Sequence, residues 1–225
     1  MDTTTVLLVE DNLADVVLLM ELLQDTVAER WQVSHAKRLC SALEQLQAIE
    51  FDVILLDLSL PDSQGLNTVV QVQAAAPQIP IVVLTGLQDM TLARQAVAQG
   101  AQDYLVKGQL SSELLLKAVE YAIERIQILK KLQDNERRFR GVFNQTFQFM
   151  TLLSPSGVIL DINQVVREVI GFSDQVMIDQ LIWEAPCYHS FEQSQSWLKG
   201  AILGTAHREI MRSELQVCTA QGALL

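Results

Sequence analysis

Six residues of this 225-residue chain stand where an α/β protein keeps its chemistry. Glu10 and Asp11 directly follow the apolar run Thr5-Val6-Leu7-Leu8-Val9, and Asp57 follows Val53-Ile54-Leu55-Leu56. Thr85 and Gly86 follow Pro80-Ile81-Val82-Val83-Leu84, and Lys107 follows Asp103-Tyr104-Leu105-Val106. Continuous apolar runs suit strands buried on both faces, and doubly wound sheets place their sites at the carboxyl ends of such strands. Three carboxylates meeting at one sheet edge repel one another, which raises their pKa values. A hard divalent cation relieves that conflict, and Mg²⁺ held by carboxylates and water is the usual occupant. The Lys107 ammonium adds positive charge, Thr85 offers a hydroxyl, and Gly86 leaves room for a group larger than water. Such a site suits the carriage of a phosphoryl group on a carboxylate. Asp57 is then the nucleophile, and Lys107 and Thr85 take the remaining phosphoryl oxygens.

The elements needed to position these residues can be read from apolar spacing. Val16, Leu19, Met20, Leu22 and Leu23 predict a helix after the first run, as do Leu39, Leu43, Leu46 and Ile49 after the alternating outer strand Trp31–His35. Leu66, Val69, Val70 and Val72 begin another helix. A further helix through Leu92, Ala93, Ala96 and Val97 stops at Gly100. Five βα units of this kind give a parallel five-stranded sheet covered on both faces, because right-handed crossovers leave few other topologies. The predicted fold class is therefore α/β, flavodoxin-like and doubly wound.

Taken singly, each polar residue has a plainer reading. Glu10-Asp11 could cap a helix, Asp57 could open a turn, and Lys107 could be a solvated lysine. Convergence on one edge is what favours chemistry. A flavin or nucleotide binder of the same fold needs a Gly-rich phosphate loop after the first strand, where Glu10-Asp11-Asn12-Leu13 would repel phosphate.

Val9-Glu10-Asp11-Asn12, Leu56-Asp57-Leu58-Ser59-Leu60-Pro61-Asp62-Ser63-Gln64-Gly65, Leu84-Thr85-Gly86 and Tyr104-Leu105-Val106-Lys107 resemble the four signature blocks of response-regulator receiver domains. The resemblance covers residues 3–124. It implies that Asp57 is the phosphoacceptor and that Glu10, Asp11, Asp57 and the backbone carbonyl of Ser59 hold Mg²⁺. It also implies that Thr85, Gly86 and Lys107 bind the phosphoryl group, with Thr85 as switch hydroxyl and Tyr104 as the aromatic that rotates inward behind it. The implied phosphodonor is a histidine kinase or a phosphotransfer protein. Gly108 departs from the family, which usually has proline after the lysine.

Ser111-Ser112-Glu113 caps a helix with no Pro or Gly before Arg140. Leu115, Val119, Ala122, Ile126 and Leu129 follow heptad steps, and the seam changes register between Leu129 and Leu132. It suits either a helix packed on its own domain or a coiled-coil connector over residues 112–139. Beyond it, Glu136–Gln145 is similar to the helical lead-in of a PAS domain. Phe147–Leu153 and Val158–Ile162 read as a hairpin around Ser154-Pro155-Ser156-Gly157, and Asn163 and Ile170-Gly171-Phe172-Ser173 are similar to PAS motifs. A last strand is expected near Arg208–Cys218. The domain organisation expected is a receiver over 1–124, the connecting helix, and an α+β PAS module over 140–225, short of strands at its C-terminal side. His189, His207, Cys187, Met150 and Trp183 could line a cavity in it, although simple core packing explains them better, and no cofactor is expected there. His35 reads as structural.

Composition sets the rest. A formal charge of −11, with 17 acidic and six basic residues before Arg125, repels phosphate backbones and anionic headgroups. Neither nucleic acid nor membrane is expected as a partner. Three cysteines without C-x-x-C spacing suit a reducing, cytoplasmic setting. The expected function is two-component signalling by a non-enzymatic phosphoacceptor that passes its state along the helix, with a homodimer formed through residues 112–139 and the PAS module. Alternatives are a receiver-like interaction module working without phosphorylation, or the regulatory part of a larger enzyme such as a histidine kinase or nucleotide cyclase.

Overall fold

The computed structural model describes residues 3–27, 31–86, 89–204 and 213–225. The chain divides into two compact units, Met1–Leu132 and Gln133–Leu225. In the first unit the elements run β1 (Thr4–Val9), α1 (Leu13–Val27), β2 (Trp31–Ala36), α2 (Leu39–Ala48) and β3 (Val53–Asp57). A two-residue antiparallel ladder of β4 (Ser59–Leu60) and β5 (Ser63–Gln64) follows, then α3 (Leu66–Ala75), β6 (Ile81–Thr85), α4 (Met90–Ala98) and β7 (Asp103–Val106). A 3₁₀ turn over Lys107–Gln109 leads to α5 (Ser112–Gln145), a 34-residue helix.

The parallel sheet has the order β2-β1-β3-β6-β7. Every residue of β3 and β6 is buried, as their unbroken apolar sequence requires. Alternate residues feed two cores. Leu7, Val9, Ile54, Leu56, Ile81 and Val83 pack with Leu39 and Ala42 of α2, Val69 and Val72 of α3 and Ala96 of α4. Val6, Leu8, Val53, Leu55, Val82 and Leu84 pack with Val16 and Leu19 of α1 and Leu115, Val119 and Ala122 of α5. The period-2 side-chain alternation of strands thus turns one run of aliphatics into cores on both faces.

The second unit begins within α5 and continues with β8 (Thr151–Leu153), β9 (Ile159–Ile162), α6 (Gln164–Ile170), α7 (Asp174–Met177) and α8 (Glu192–Gly204). The β8–β9 pair is antiparallel. Gly157 in its turn has φ +88°, and a Cβ there would lie 2.4 Å from Trp183, so this position requires glycine. Asn163 is fully buried. Its Oδ1 accepts from Val166 N at 3.2 Å and Met150 N at 3.1 Å, and its Nδ2 donates to Gln148 O at 2.7 Å. One side chain therefore caps α6 and ties down the approach to β8.

Two sequence expectations need correction here. The first hairpin strand spans Thr151–Leu153 rather than 147–153, and Phe147 is almost fully exposed, so the apolar run before β8 is not all strand. Residues 205–212, including His207 and the first five residues of the last expected strand, lie outside the described residues. Ser213–Val217 forms no strand, and Cys218 makes an isolated bridge to Leu224. Backbone donors of this segment go elsewhere: Gln216 N to Ser194 Oγ, Cys218 N to Cys187 O and Ala220 N to Ile170 O. Among the described residues, no helix is long and apolar enough to cross a membrane.

Candidate functional site

Strand register assembles the site. Val9 pairs with Leu56, so Glu10 emerges level with Asp57, the last residue of β3. Asp57 pairs with Leu84, which puts Thr85 one step beyond it, and Thr85 pairs with Val106, which puts Lys107 one step further again. Neighbouring strands thus deliver two acids, a hydroxyl and an ammonium to one edge at nearly one height.

Lys107 Nζ lies 2.6 Å from Glu10 Oε2, 3.2 Å from Asp57 Oδ2 and 3.1 Å from Asp15 Oδ2. Glu10 and Asp57 are buried and Asp11 is exposed. Carboxylate oxygens of Glu10, Asp11 and Asp57 all fall within 4.8 Å of one another. Burial chiefly, and the charge of Asp57, raise the Glu10 pKa above its ordinary value, while Lys107 opposes the rise. Burial works against the charge on Lys107, but Glu10, Asp57 and Asp15 outweigh it and hold the ammonium protonated well above the usual lysine range.

Three carboxylates on one ammonium, with Asp11 grouped beside Glu10 and Asp57, leave a surplus of negative charge in a pocket of hard oxygen donors. That donor set fits Mg²⁺, which receiver domains take in an acidic pocket, and among the described residues no thiol or imidazole joins it. The surroundings brace the acids. Glu10 Oε1 accepts from Asn12 N at 3.1 Å, and the His35 ring meets Glu10 O at 2.8 Å, so the histidine read as structural supports the site from the edge strand.

Thr85 is buried, and its hydroxyl donates over a long 3.4 Å to Gly86 O. Gly86 is exposed, and among the described residues a Cβ there would meet only the Asp89 carboxylate, at 3.7 Å, within 4 Å. Tyr104 is half-buried against the core that contains α4. Ser59 is exposed and opens β4, opposite Gln64.

Sequence reasoning missed two acids. Asp15, in the first turn of α1, is a third anion on Lys107 and accepts from Asn12 Nδ2 at 3.2 Å. Its signal was the Asn12-x-x-Asp15 spacing at a helix start, where an acid usually serves the helix dipole. Asp62 accepts from Leu39 N at 2.9 Å and Cys40 N at 3.0 Å. It therefore caps α2 from 23 residues away, and these N–H bonds, that of Cys40 first, hold its carboxyl below the ordinary range.

The second unit contains an apolar cavity of about 50 Å³ whose walls include Phe149, Ile159, Met177, Cys187 and Tyr188. Of the residues expected to line one, Cys187 does so, Trp183 belongs to the surrounding core and His189 is exposed.

Comparison with known proteins agrees with the geometry. The family of the response regulator receiver domain matches residues 6–120. Regulatory protein LuxO of Vibrio cholerae serotype O1 is 36% identical over 110 residues, 48% of this chain and 24% of that protein. Methanogenesis regulatory protein FilR1 of Methanothrix harundinacea is 32% identical over 130 residues, 56% of this chain and 29% of the relative. The chain thus spans about a quarter of the length of the curated relatives it matches. Among solved structures, the signal receiver domain of a LuxO repressor protein from Vibrio parahaemolyticus superposes with a TM-score of 0.51 at 23% identity. The superposition covers 58% of this chain and 97% of that one, and at this identity it speaks for the fold. On the match that spans half its length and on the sheet-edge cluster it explains, the chain belongs to the response regulator receiver domain family.

Proposed function

We propose that the first unit is a phosphoacceptor of a two-component relay, with Asp57 as the residue phosphorylated. The observation that carries this reading is the placement of Asp57 at the end of the central strand, buried, 3.2 Å from Lys107 and grouped with Glu10 and Asp11. An Asp57 carboxylate oxygen attacks phosphorus, the bond from phosphorus to the donor nitrogen or oxygen breaks, and the donor leaves with that bonding pair. Glu10, Asp11, Asp57 and the Ser59 carbonyl would hold Mg²⁺, which neutralises charge as the phosphoryl group transfers. Lys107 steadies one phosphoryl oxygen from the β7 end, and the Thr85 hydroxyl, with a weak present partner, is free to turn to another. Gly86 leaves the space that this requires.

The product adds about −1.5 to −2 charge to a pocket that is already acidic. Movement of Thr85, followed by inward rotation of half-buried Tyr104, changes the face formed by α4 and β7. α5 runs without a Pro and leaves the first unit as a single helix, so it is the element proposed to carry the change onward and to pair two chains. The second unit is proposed to be a PAS module. Its support is the order of elements: a helical lead-in, an antiparallel hairpin, a buried Asn163 cap, and a helix closing on left-handed Gly171 before Phe172-Ser173. Within these residues the protein acts as a regulator rather than an enzyme, receiving its phosphoryl group from a histidine kinase or phosphotransfer protein.

Acetyl phosphate with Mg²⁺ tests the relay reading by intact mass. One phosphoryl adduct, absent with EDTA, is expected. A folded chain that takes no adduct would instead be a receiver-like interaction module.

A further inference from the structure

The heptad residues of α5 separate into two faces. Leu115, Val119 and Ala122 are buried in the core of the first unit, so the seam that begins with them is largely consumed by its own domain. Tyr121, Ile128, Leu132, Phe139 and Val142 are each between 46% and 65% exposed. Their spacing is seven, four, seven and three, and Asn135 fills the gap three residues after Leu132. The steps Ile128, Leu132, Asn135, Phe139 and Val142 therefore alternate four and three with no change of register. At about 100° per residue this stripe lies roughly 140° round the helix from the buried one. The register shift read between Leu129 and Leu132 is the junction of two faces, not a break in one.

Every residue from Gln127 to Arg140 is exposed in the single chain. A solvated helix of this length is marginal by itself, and a bare apolar stripe along it needs a cover.

We infer that a second copy of this chain covers it, as a parallel in-register coiled coil along Ile128–Val142. Leu132 and Phe139 take the a positions, and Ile128, Asn135 and Val142 take the d positions; one heptad earlier the a position is Arg125, which is exposed and ends the apolar stripe on that side. Charge supports the parallel arrangement. Lys131 falls at g and Glu136 at the following e, the pair that meets across a parallel interface. Asn135, at d, supports the register because a buried amide costs free energy unless it is paired, and only in-register parallel chains place each Asn135 opposite its equivalent. An antiparallel pair would leave one or both against aliphatic side chains. Stacking of Phe139 on Phe143, with centroids 5.2 Å apart, fixes the Phe139 ring near the C-terminal end of the stripe. This inference rests on the helix-mediated dimer of the proposed function, names its surface, and does not depend on phosphorylation.

Sedimentation of the full chain at about 50 μM, ample for a coiled coil of micromolar affinity, supplies the test. Dimer is expected, and Leu132→Glu should weaken it by about tenfold or more. Gln133→Glu adds the same charge on the opposite face and should change nothing. Asn135→Leu should tighten association and admit other registers or larger assemblies. In a Cys40→Ser background, Ile128→Cys and Val142→Cys lie about 21 Å apart along the helix. Each should form disulfides with its own copy on mild oxidation, which an antiparallel pair could not satisfy at both sites. A monomeric wild-type chain overturns the inference and the dimer with it. A dimer indifferent to Leu132→Glu, or Asn135→Leu without tighter association, overturns the stripe while leaving dimerisation to another surface. Leu132 is exposed in the single chain, so Leu132→Glu should still fold and unfold cooperatively, with its Tm lowered only by the lost association. The Asp57 adduct is measured separately and stands or falls independently.

Discussion

Lys107 Nζ lies 3.1 Å from Asp15 Oδ2, so an acid on α1 shares the ammonium that would otherwise belong to Glu10 and Asp57. The sheet edge supplies the reactive pair. The helix that follows β1 supplies a competitor for it.

That competition predicts the behaviour of Asp15→Asn. A partly exposed ion pair is worth about 0.2–1 kcal/mol, so releasing Lys107 should speed phosphoryl uptake from acetyl phosphate by up to about fivefold. A double-mutant cycle with Lys107→Met should abolish the gain. An equal gain without the lysine would show that Asp15 acts on something else.

Removal of metal should be visible in stability. Three acids on one ammonium, with Asp11 beside two of them, make the metal-free site costly, and a ligand that binds only the folded state at about 100 times its Kd adds about 2.7 kcal/mol. Millimolar Mg²⁺ should raise the Tm of the wild-type chain, EDTA should reverse the rise, and Asp57→Asn or Asp11→Asn should blunt it. A Tm unmoved by Mg²⁺ would remove the donor set from consideration.

Asp62 gives a prediction with a defined sign. Its carboxylate caps α2 through Leu39 N and Cys40 N, and loss of such a cap costs about 1 kcal/mol. Its folded pKa is lowered, so its contribution is present above the unfolded carboxyl pKa and is lost as pH falls through the folded value. Urea unfolding at pH 7 should therefore show Asp62→Ala less stable than wild type by about 1 kcal/mol, with the gap closing in acid. A gap that persists at low pH would mean that the carboxylate charge is irrelevant.

In the second unit, burial pushes the Cys187 thiol up to about 11 and the Tyr188 hydroxyl up to about 12. At pH 8 the folded chain should therefore react with iodoacetamide at exposed Cys40 well before Cys187. Both raised groups favour the neutral forms in the folded state. Their contribution is full below pH about 9 and falls as pH rises toward about 11 and 12, so alkali should unfold this unit first. Rapid alkylation of Cys187 in the folded chain would contradict its burial.

The parts of this molecule that could be read from sequence were those fixed by strand period. Ile54 and Leu55 had to face opposite cores, and that alternation set the sheet and placed Glu10, Asp57, Thr85 and Lys107 on one edge. Asp15 escaped because its partner is 92 residues away and its local setting already explains an acid. The α5 seam kept two readings in the sequence because apolar spacing shows which residues want cover, not which partner supplies it; Leu115 and Leu132 look alike until one is seen buried and the other bare. Gln216 and Cys218 resemble strand residues, but their N–H groups bond to Ser194 and Cys187 instead of a neighbouring strand.

The central claim is chemical: Asp57 carries the phosphoryl group. After reaction with acetyl phosphate and Mg²⁺, borohydride reduction converts an aspartyl phosphate to homoserine, which peptide mass spectrometry can place in the chain. Homoserine at position 57 alone, and no adduct in Asp57→Asn, is the expected result. Modification at Glu10, Asp11 or Asp15, or an undiminished adduct in Asp57→Asn, would contradict the assignment.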